Sequence, residues 1–248
     1  MFNNKNIIIT IIVLLILYKY IISRQNFNQL ANVTQLPKNN ISIASFNIQY
    51  LPFSKKKISN LLQNVEQYDI VLLQEFFTQP LFSKEYFLRK QNVFNFAANT
   101  IPNFFSLKLI DSGLVILSKY PILESKFKGF RHAANVDKLS NKGVLYAKIQ
   151  VGNKILNIYN THLQSSYHKK DEFIDIRYTQ LERINQFIKD NNSEKNILIG
   201  GDFNCNYSCD RNRQMIEDLF KNYNINIPDK PTHSVSYTHL RAHETDSY

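Results

Sequence analysis

Four apolar runs in this 248-residue chain end in residues able to hold a cation or a phosphate. ISIASFNI ends on Asn47 and Ile48, and DIVLLQE ends on Glu75. KILNIYNTHL carries Asn160 and His162 near its end, and NILIGGDFN carries Asp202 and Asn204. Residues two apart on a strand point to one face, so Asn160 with His162, and Asp202 with Asn204, are expected to project together. Strand ends are rigid platforms, where a site that needs tight positioning belongs. Taken singly, each residue has an ordinary role: Asn47 caps a turn, Glu75 is the first exposed residue after a strand, and His162 is structural. Asp202 and Asn204 follow Gly200-Gly201 and suit a turn or a helix N-cap. Their recurrence at the same point of four strands is what carries information.

That set suits metal-assisted hydrolysis of a phosphate ester. Mg²⁺ takes oxygen ligands, keeps several waters and binds through one or two carboxylates, so Glu75 is the natural anchor, with Mn²⁺ as the alternative ion. Asn47 stands beside Glu75 on the metal or on the substrate phosphate. His162 and Asn204 would donate to non-bridging oxygens as charge builds, and Asp202 would orient a water or a histidine base. Asn160, on the face of His162, is placed with the substrate-binding residues. No Gly-rich phosphate loop is present, so nucleotide-driven phosphoryl transfer is disfavoured.

The elements that must position these residues alternate between short strands and longer helical patterns. Ser54 is the expected N-cap of a helix whose face carries Ile58, Leu61, Leu62 and Val65. A strand is expected near residues 113–118. GVLYAKIQV and KILNIYNTHL flank Gly152-Asn153, which suits a type II′ hairpin. Phe173, Ile176, Leu181, Ile184, Phe187 and Ile188 recur at helical spacing up to Asp190. Hairpins mixed with strand–helix alternation predict an α/β or α+β fold with central sheets covered by helices.

The formal net charge of +10 favours anionic partners: nucleic acid, phosphorylated small molecules or an acidic membrane surface. Cys205 and Cys209 provide neither a disulfide framework nor a zinc site. The apolar run from Ile7 to Ile22 predicts a membrane anchor or a signal segment over residues 1–24, followed by a polar connector over 25–38. Read as an uncleaved anchor, it predicts a single-pass membrane protein. Sequons at Asn32, Asn40, Asn191 and Asn206 would fit a lumenal or extracellular catalytic domain over 39–233. Residues 234–248 lack Asn, Ile and Lys, in which the body is rich, and are read as a non-native tail.

In this order, SFNIQ, LLQE, SGLVILSKYPI, NTHLQ and GGDFN resemble the motifs of the endonuclease/exonuclease/phosphatase superfamily, the DNase I-like proteins. The resemblance covers roughly residues 41–232. It implies a four-layer α/β/β/α sandwich of two mixed β-sheets, with Mg²⁺ at Glu75 and a phosphate site lined by Asn47, His162, Asp202 and Asn204. Within that superfamily the chain is most similar to the neutral sphingomyelinases, through NTHLQSS, RYTQLERINQFI and the stretch VDKLSNKGVLY. Asp137 and Lys142, five apart in that stretch, match a pair that lies beside the active site. The implied activity is Mg²⁺-dependent cleavage of sphingomyelin to ceramide and phosphocholine, with membrane phospholipid as substrate and an anionic membrane surface as partner. A nuclease acting on DNA or RNA, and an inactive membrane protein that keeps the fold, remain as alternatives. The superfamily closes with a Ser-Asp-His whose histidine is the general base. PTHSVSYTHLRAHETDSY has no Asp-His pair, and His233, His239 and His243 match nothing. The last strands and the base are therefore expected to be missing.

Overall fold

The computed structural model describes residues 40–50, 64–78, 84, 88, 93–100, 108, 110–167, 172–191 and 196–225. Strands β1 (Ile43–Tyr50), β2 (Ile70–Phe76), β3 (Phe96–Asn99) and β4 (Val115–Ser118) form one sheet in the order β1-β2-β4-β3. Strands β5 (Ile122–Gly129), β6 (Gly143–Val151), β7 (Lys154–His162) and β8 (Ile197–Asp202) form a second, in the order β5-β6-β7-β8. Each sheet contains one parallel pair, β1 with β2 and β7 with β8, and is otherwise antiparallel. Both sheets are therefore mixed, as expected. The β6–β7 hairpin turns at Gly152, whose φ of 56° supplies the left-handed residue that a type II′ turn requires.

Side-chain alternation assigns the layers. Ile43, Leu72 and Ile116 of the first sheet face Leu145, Ala147 and Ile158 of the second, forming the central core. Residues of opposite parity on the second sheet, Tyr146 and Tyr159 among them, pack against α1 (Ile174–Asn191) and α2 (Asp210–Leu219). Val71, Leu73 and Leu117 line the outer face of the first sheet with Val65 and Leu88, both helical. Helical residues, sheet, sheet and helices give the α/β/β/α order. Residues 51–63, with most of the helix expected after Ser54, lie outside the described residues.

The chain needs glycine at one point of β8. Gly201 has a φ of 136°, and a Cβ there would lie 2.0 Å from the Thr161 carbonyl oxygen of β7. Gly201→Ala is expected to destabilise the fold by more than about 4 kcal/mol, through overlap that neither strand can relieve. An unchanged urea midpoint would show that the strands are not so tightly apposed.

The expected single-pass membrane location is corrected. No helix among the described residues is long and apolar enough to cross a membrane. The run from Ile7 to Ile22 lies outside the described residues. The lumenal or extracellular placement inferred with it is withdrawn too. The connector over 25–38 and the stretch 234–248 also lie outside the described residues.

Candidate active site

Asn47, Glu75, His162 and Asp202 all stand at or near the C-terminal ends of their strands, where the two sheets approach each other. Three of them follow from alternation. Ile43, Ser45 and Asn47 share one parity, as do Ile158, Asn160 and His162, and Leu198, Gly200 and Asp202. In each trio the first residue is in the central core, so the last points inward at its rim.

Glu75 does not follow that rule. It shares parity with Val71 and Leu73, which face the outer layer. Its φ of 56° breaks the alternation. β1 compensates with a register shift between Asn47 and Tyr50, where Gln49 has a φ of 51°. The Glu75 carboxylate thereby joins the Asn47 side chain across the two strands.

Asn47 ties the sheets together at this point. Its Nδ2 donates to Glu75 Oε1 at 2.8 Å and to Asp202 Oδ2 at 2.9 Å. Two acceptors flanking one amide fix its orientation, and Asn47 Oδ1 accepts the Gln49 N–H at 3.1 Å. His162 Nε2 lies 3.9 Å from Glu75 Oε1. Burial, reinforced by Lys142, holds the His162 pKa below the usual imidazole value, against the opposing pull of Asp202 and Glu75. His162 is therefore neutral at pH 7.

A second group adjoins the first through residues 163–165. Asn204 (φ 49°) donates its backbone N–H to Asp202 Oδ1 at 3.1 Å, and its Nδ2 to the Leu163 carbonyl at 3.0 Å. Lys142 Nζ donates to the same carbonyl at 2.7 Å. Asp137 lies in a 3-10 turn (Asn135–Leu139), and its Oδ2 accepts the Ser165 N–H at 2.9 Å and pairs with Lys142 Nζ at 3.2 Å. The Asp137–Lys142 pair is thus buried and joined to Asn204 through two shared acceptors, Leu163 O and Ser165 Oγ. Burial lowers the Lys142 pKa, while Asp137 opposes the shift.

A model described as the endonuclease/exonuclease/phosphatase family matches residues 44–240. The chain belongs to that family. Sphingomyelinase C from Bacillus cereus is 35% identical over 144 residues, covering 56% of this chain and 43% of the relative. Sphingomyelinase C from Listeria ivanovii is 36% identical over 130 residues, covering 51% and 38% respectively. The chain thus spans less than half the length of these two relatives. A crystal structure of a beta toxin variant from Staphylococcus aureus, with bound magnesium ions, shares the fold. Its TM-score is 0.63 at 24% identity, covering 77% of this chain and 72% of that one.

In this member of the family, the residues around Glu75 fit a hard divalent cation. Two carboxylates meet one amide beside a neutral imidazole, an oxygen-rich set with net negative charge. Among the described residues no cluster of three or more His, Cys, Asp or Glu could hold a metal by itself. Mg²⁺ asks for less, since it keeps several of its waters and uses one or two carboxylates.

Asn160 stands apart from the group it was expected to join. It is fully buried one pleat deeper, and its Nδ2 donates to the carbonyls of Leu73 and Val115, each at 2.9 Å. Its Oδ1 accepts from Gln74 Nε2 at 2.8 Å, so the side chain links the sheets behind the site. Arg177 and Gln180 of α1 were not singled out by sequence. They reach the main chain at Gln164, Arg177 Nη1 donating to its carbonyl at 3.1 Å and Gln180 Oε1 accepting its N–H at 2.8 Å. The signal was available: two large polar residues on the buried face of an otherwise apolar helix stripe.

Arg177 also lies beside Cys205, whose thiol burial pushes up to about 12 although the guanidinium opposes the shift. Cys209 is exposed. Iodoacetamide at neutral pH is therefore expected to label one thiol in the native protein and two in urea, as read by mass spectrometry. Native labelling of Cys205 would contradict its burial.

Proposed function

We propose that this chain is a divalent-metal-dependent phosphodiesterase acting on a phospholipid, and that its substrate is sphingomyelin, cleaved to ceramide and phosphocholine. The observation that carries the reading is the single amide of Asn47 holding Glu75 from one sheet and Asp202 from the other beside a neutral His162. The names of the Bacillus and Listeria relatives support the choice of lipid. Glu75, with Asn47 beside it, would hold Mg²⁺ or Mn²⁺, which supplies Lewis-acid polarisation of a phosphoryl oxygen and offsets charge on the leaving alkoxide.

The chain's own residues supply the remainder. His162 donates a hydrogen bond to a non-bridging oxygen as the pentavalent phosphorus gathers charge, while the Asn204 amide is held on Leu163 O and Ser165 Oγ and would have to release one of them to do the same. Asp202, already oriented by Asn47 and by the Asn204 N–H, holds the attacking water. The water oxygen bonds to phosphorus and sheds its proton to solvent, the bond to the ceramide oxygen breaks, and the departing alkoxide takes up a proton from solvent. The histidine base implied by the resemblance has no match in this sequence, where His233, His239 and His243 stand outside any Asp-His pair.

Asp137 and Lys142 are assigned to substrate choice. Their pair fixes the chain at Leu163 and Ser165, immediately after the end of β7. Asp137→Ala is expected to lower kcat/KM on sphingomyelin about 10- to 100-fold, as loss of a supporting hydrogen-bonded group commonly does. Wild-type lipid hydrolysis in that variant would return the pair to a structural role.

The reading is tested by assaying the full chain on sphingomyelin micelles and on plasmid DNA, with Mg²⁺ or EDTA. The expected result is phosphocholine release with Mg²⁺, abolished by EDTA, and little nicking. Cleavage of plasmid alone would replace the lipid reading with the nuclease one, which the charge of +10 favours. Nucleic-acid affinity would then fall steeply with salt.

A further inference from the structure

Lys84 and Asp111 form an ion pair, Nζ to Oδ2 at 2.5 Å, with neither side chain exposed. A pair so placed is a poor source of stability. Desolvation costs several kcal/mol per ion, and an apolar pair of similar volume is often equally stable. Its position suggests another use. Asp111 Oδ2 also accepts the Thr78 hydroxyl at 2.8 Å, and Asp111 Oδ1 accepts the Gly113 N–H at 3.2 Å. Lys84 Nζ is anchored in turn to the Thr100 carbonyl at 3.0 Å.

Those contacts grip the chain immediately after Glu75. Thr78 lies three residues after it. Gly113 accepts the Phe76 N–H at its carbonyl, 2.8 Å away, and so holds the peptide that follows Glu75. The path from Glu75 through Phe76 to Gly113, back through Asp111 to Thr78, is a closed ring. Gly113 is left-handed (φ 67°), and a Cβ there would come within 2.9 Å of the Phe77 ring and 3.1 Å of Glu75 Cα. The ring is therefore tightly packed against the Glu75 backbone.

Glu75 needs such a hold. A non-glycine residue in the left-handed region costs roughly 1–3 kcal/mol and persists only where its surroundings over-determine it. Without the ring, ordinary strand geometry would return Glu75 to its own parity, on the side of Val71 and Leu73 and away from Asn47.

We propose that the Lys84–Asp111 pair is a positioning device that keeps Glu75 in its left-handed conformation and thereby sets the affinity of the divalent cation. This rests on Glu75 being the cation's anchor. Both side chains are fully buried, so the pair would act only through Glu75.

The test compares the full-length wild type with the double variant Lys84→Met, Asp111→Leu, with Thr78→Val and with Glu75→Gln. Mn²⁺ binding is measured by calorimetry and melting temperature separately. The double variant removes both charges together, so neither is left buried alone. It is expected to melt near the wild type yet bind Mn²⁺ about 10- to 100-fold more weakly. Its kcat should largely recover at saturating Mn²⁺, a split that simple loss of stability would not produce. Thr78→Val, which removes one strand of the grip and keeps the ion pair, should weaken Mn²⁺ about three- to tenfold. It decides the matter if the double variant does not fold.

Wild-type Mn²⁺ affinity in a folded double variant, or in Thr78→Val if the double variant does not fold, overturns the positioning role when Glu75→Gln has lost the metal. Wild-type affinity in Glu75→Gln removes the anchor itself, and both readings fall.

Discussion

Glu75→Gln is expected to lower Mg²⁺-dependent hydrolysis by at least about 10²-fold, the scale set by removing one preorganised charge-stabilising group. Its melting temperature should stay within a degree or two of the wild type. The substitution keeps side-chain length and the left-handed backbone, and the amide oxygen can still accept the Asn47 N–H now given to Glu75 Oε1 at 2.8 Å. It removes one of two carboxylates gathered around a single amide, so metal-free repulsion falls as the anchor is lost. Activity and stability should therefore separate. A mutation that merely damaged the fold would move both, and wild-type turnover would dismiss Glu75 as the anchor. Mg²⁺ titration adds a check, because the residual rate of the variant should respond only weakly to the ion.

How much of this site was legible depended on whether a residue obeyed its strand. Asn47, His162 and Asp202 carry the parity of Ile43, Ile158 and Leu198, so an apolar run with a polar end already placed them inward at the rim. Glu75 was found by the same pattern, but its orientation was not, because a reversal of φ turns it against its parity. Nothing in DIVLLQEF announces that reversal. The residues proposed to enforce it, Gly113, Asp111 and Lys84, lie on other segments, and of the three only Gly113 falls within a quoted motif, SGLVILSKYPI. Asn160 shows the converse failure. Same-face spacing grouped it with His162, yet one pleat of depth separates a rim residue from an amide wholly used in joining two sheets.

The larger architecture followed similar lines. The helix from Ile174, β2, β4 and the β6–β7 hairpin all bury one apolar face or run, and pattern alone found them. β5 did not show itself. ILESKFKG is the edge of its sheet and mostly solvated, so it carries no apolar run by which to recognise it. Asp137 and Lys142 fall between these cases. The resemblance marked them as a pair, whereas the acceptors that link them to Asn204, Leu163 O and Ser165 Oγ, belong to a motif read for Asn160 and His162.

His162→Ala should lower turnover about 10²- to 10³-fold, whereas His162→Gln should retain more activity because its terminal amide can reach the place of Nε2. The reason lies in the tautomer. His162 is buried and neutral, and among the described residues Nδ1 has no hydrogen-bond partner. A buried N–H without an acceptor is worse tolerated than a lone pair without a donor, so the proton is assigned to Nε2, facing Glu75 and the space where phosphate would lie. Stability should register the same burial. The folded pKa is lowered, so below the ordinary 6.5 the unfolded chain takes up the proton first. His162 thus withdraws stability progressively as pH falls from about 6.5 to its folded value, and nothing further below it. In His162→Gln the metal-free urea midpoint should change less between pH 7.5 and pH 5.5 than in the wild type. An equal change in both proteins would mean that His162 is not held neutral, and the tautomer that aims its N–H at the phosphate would lose its basis.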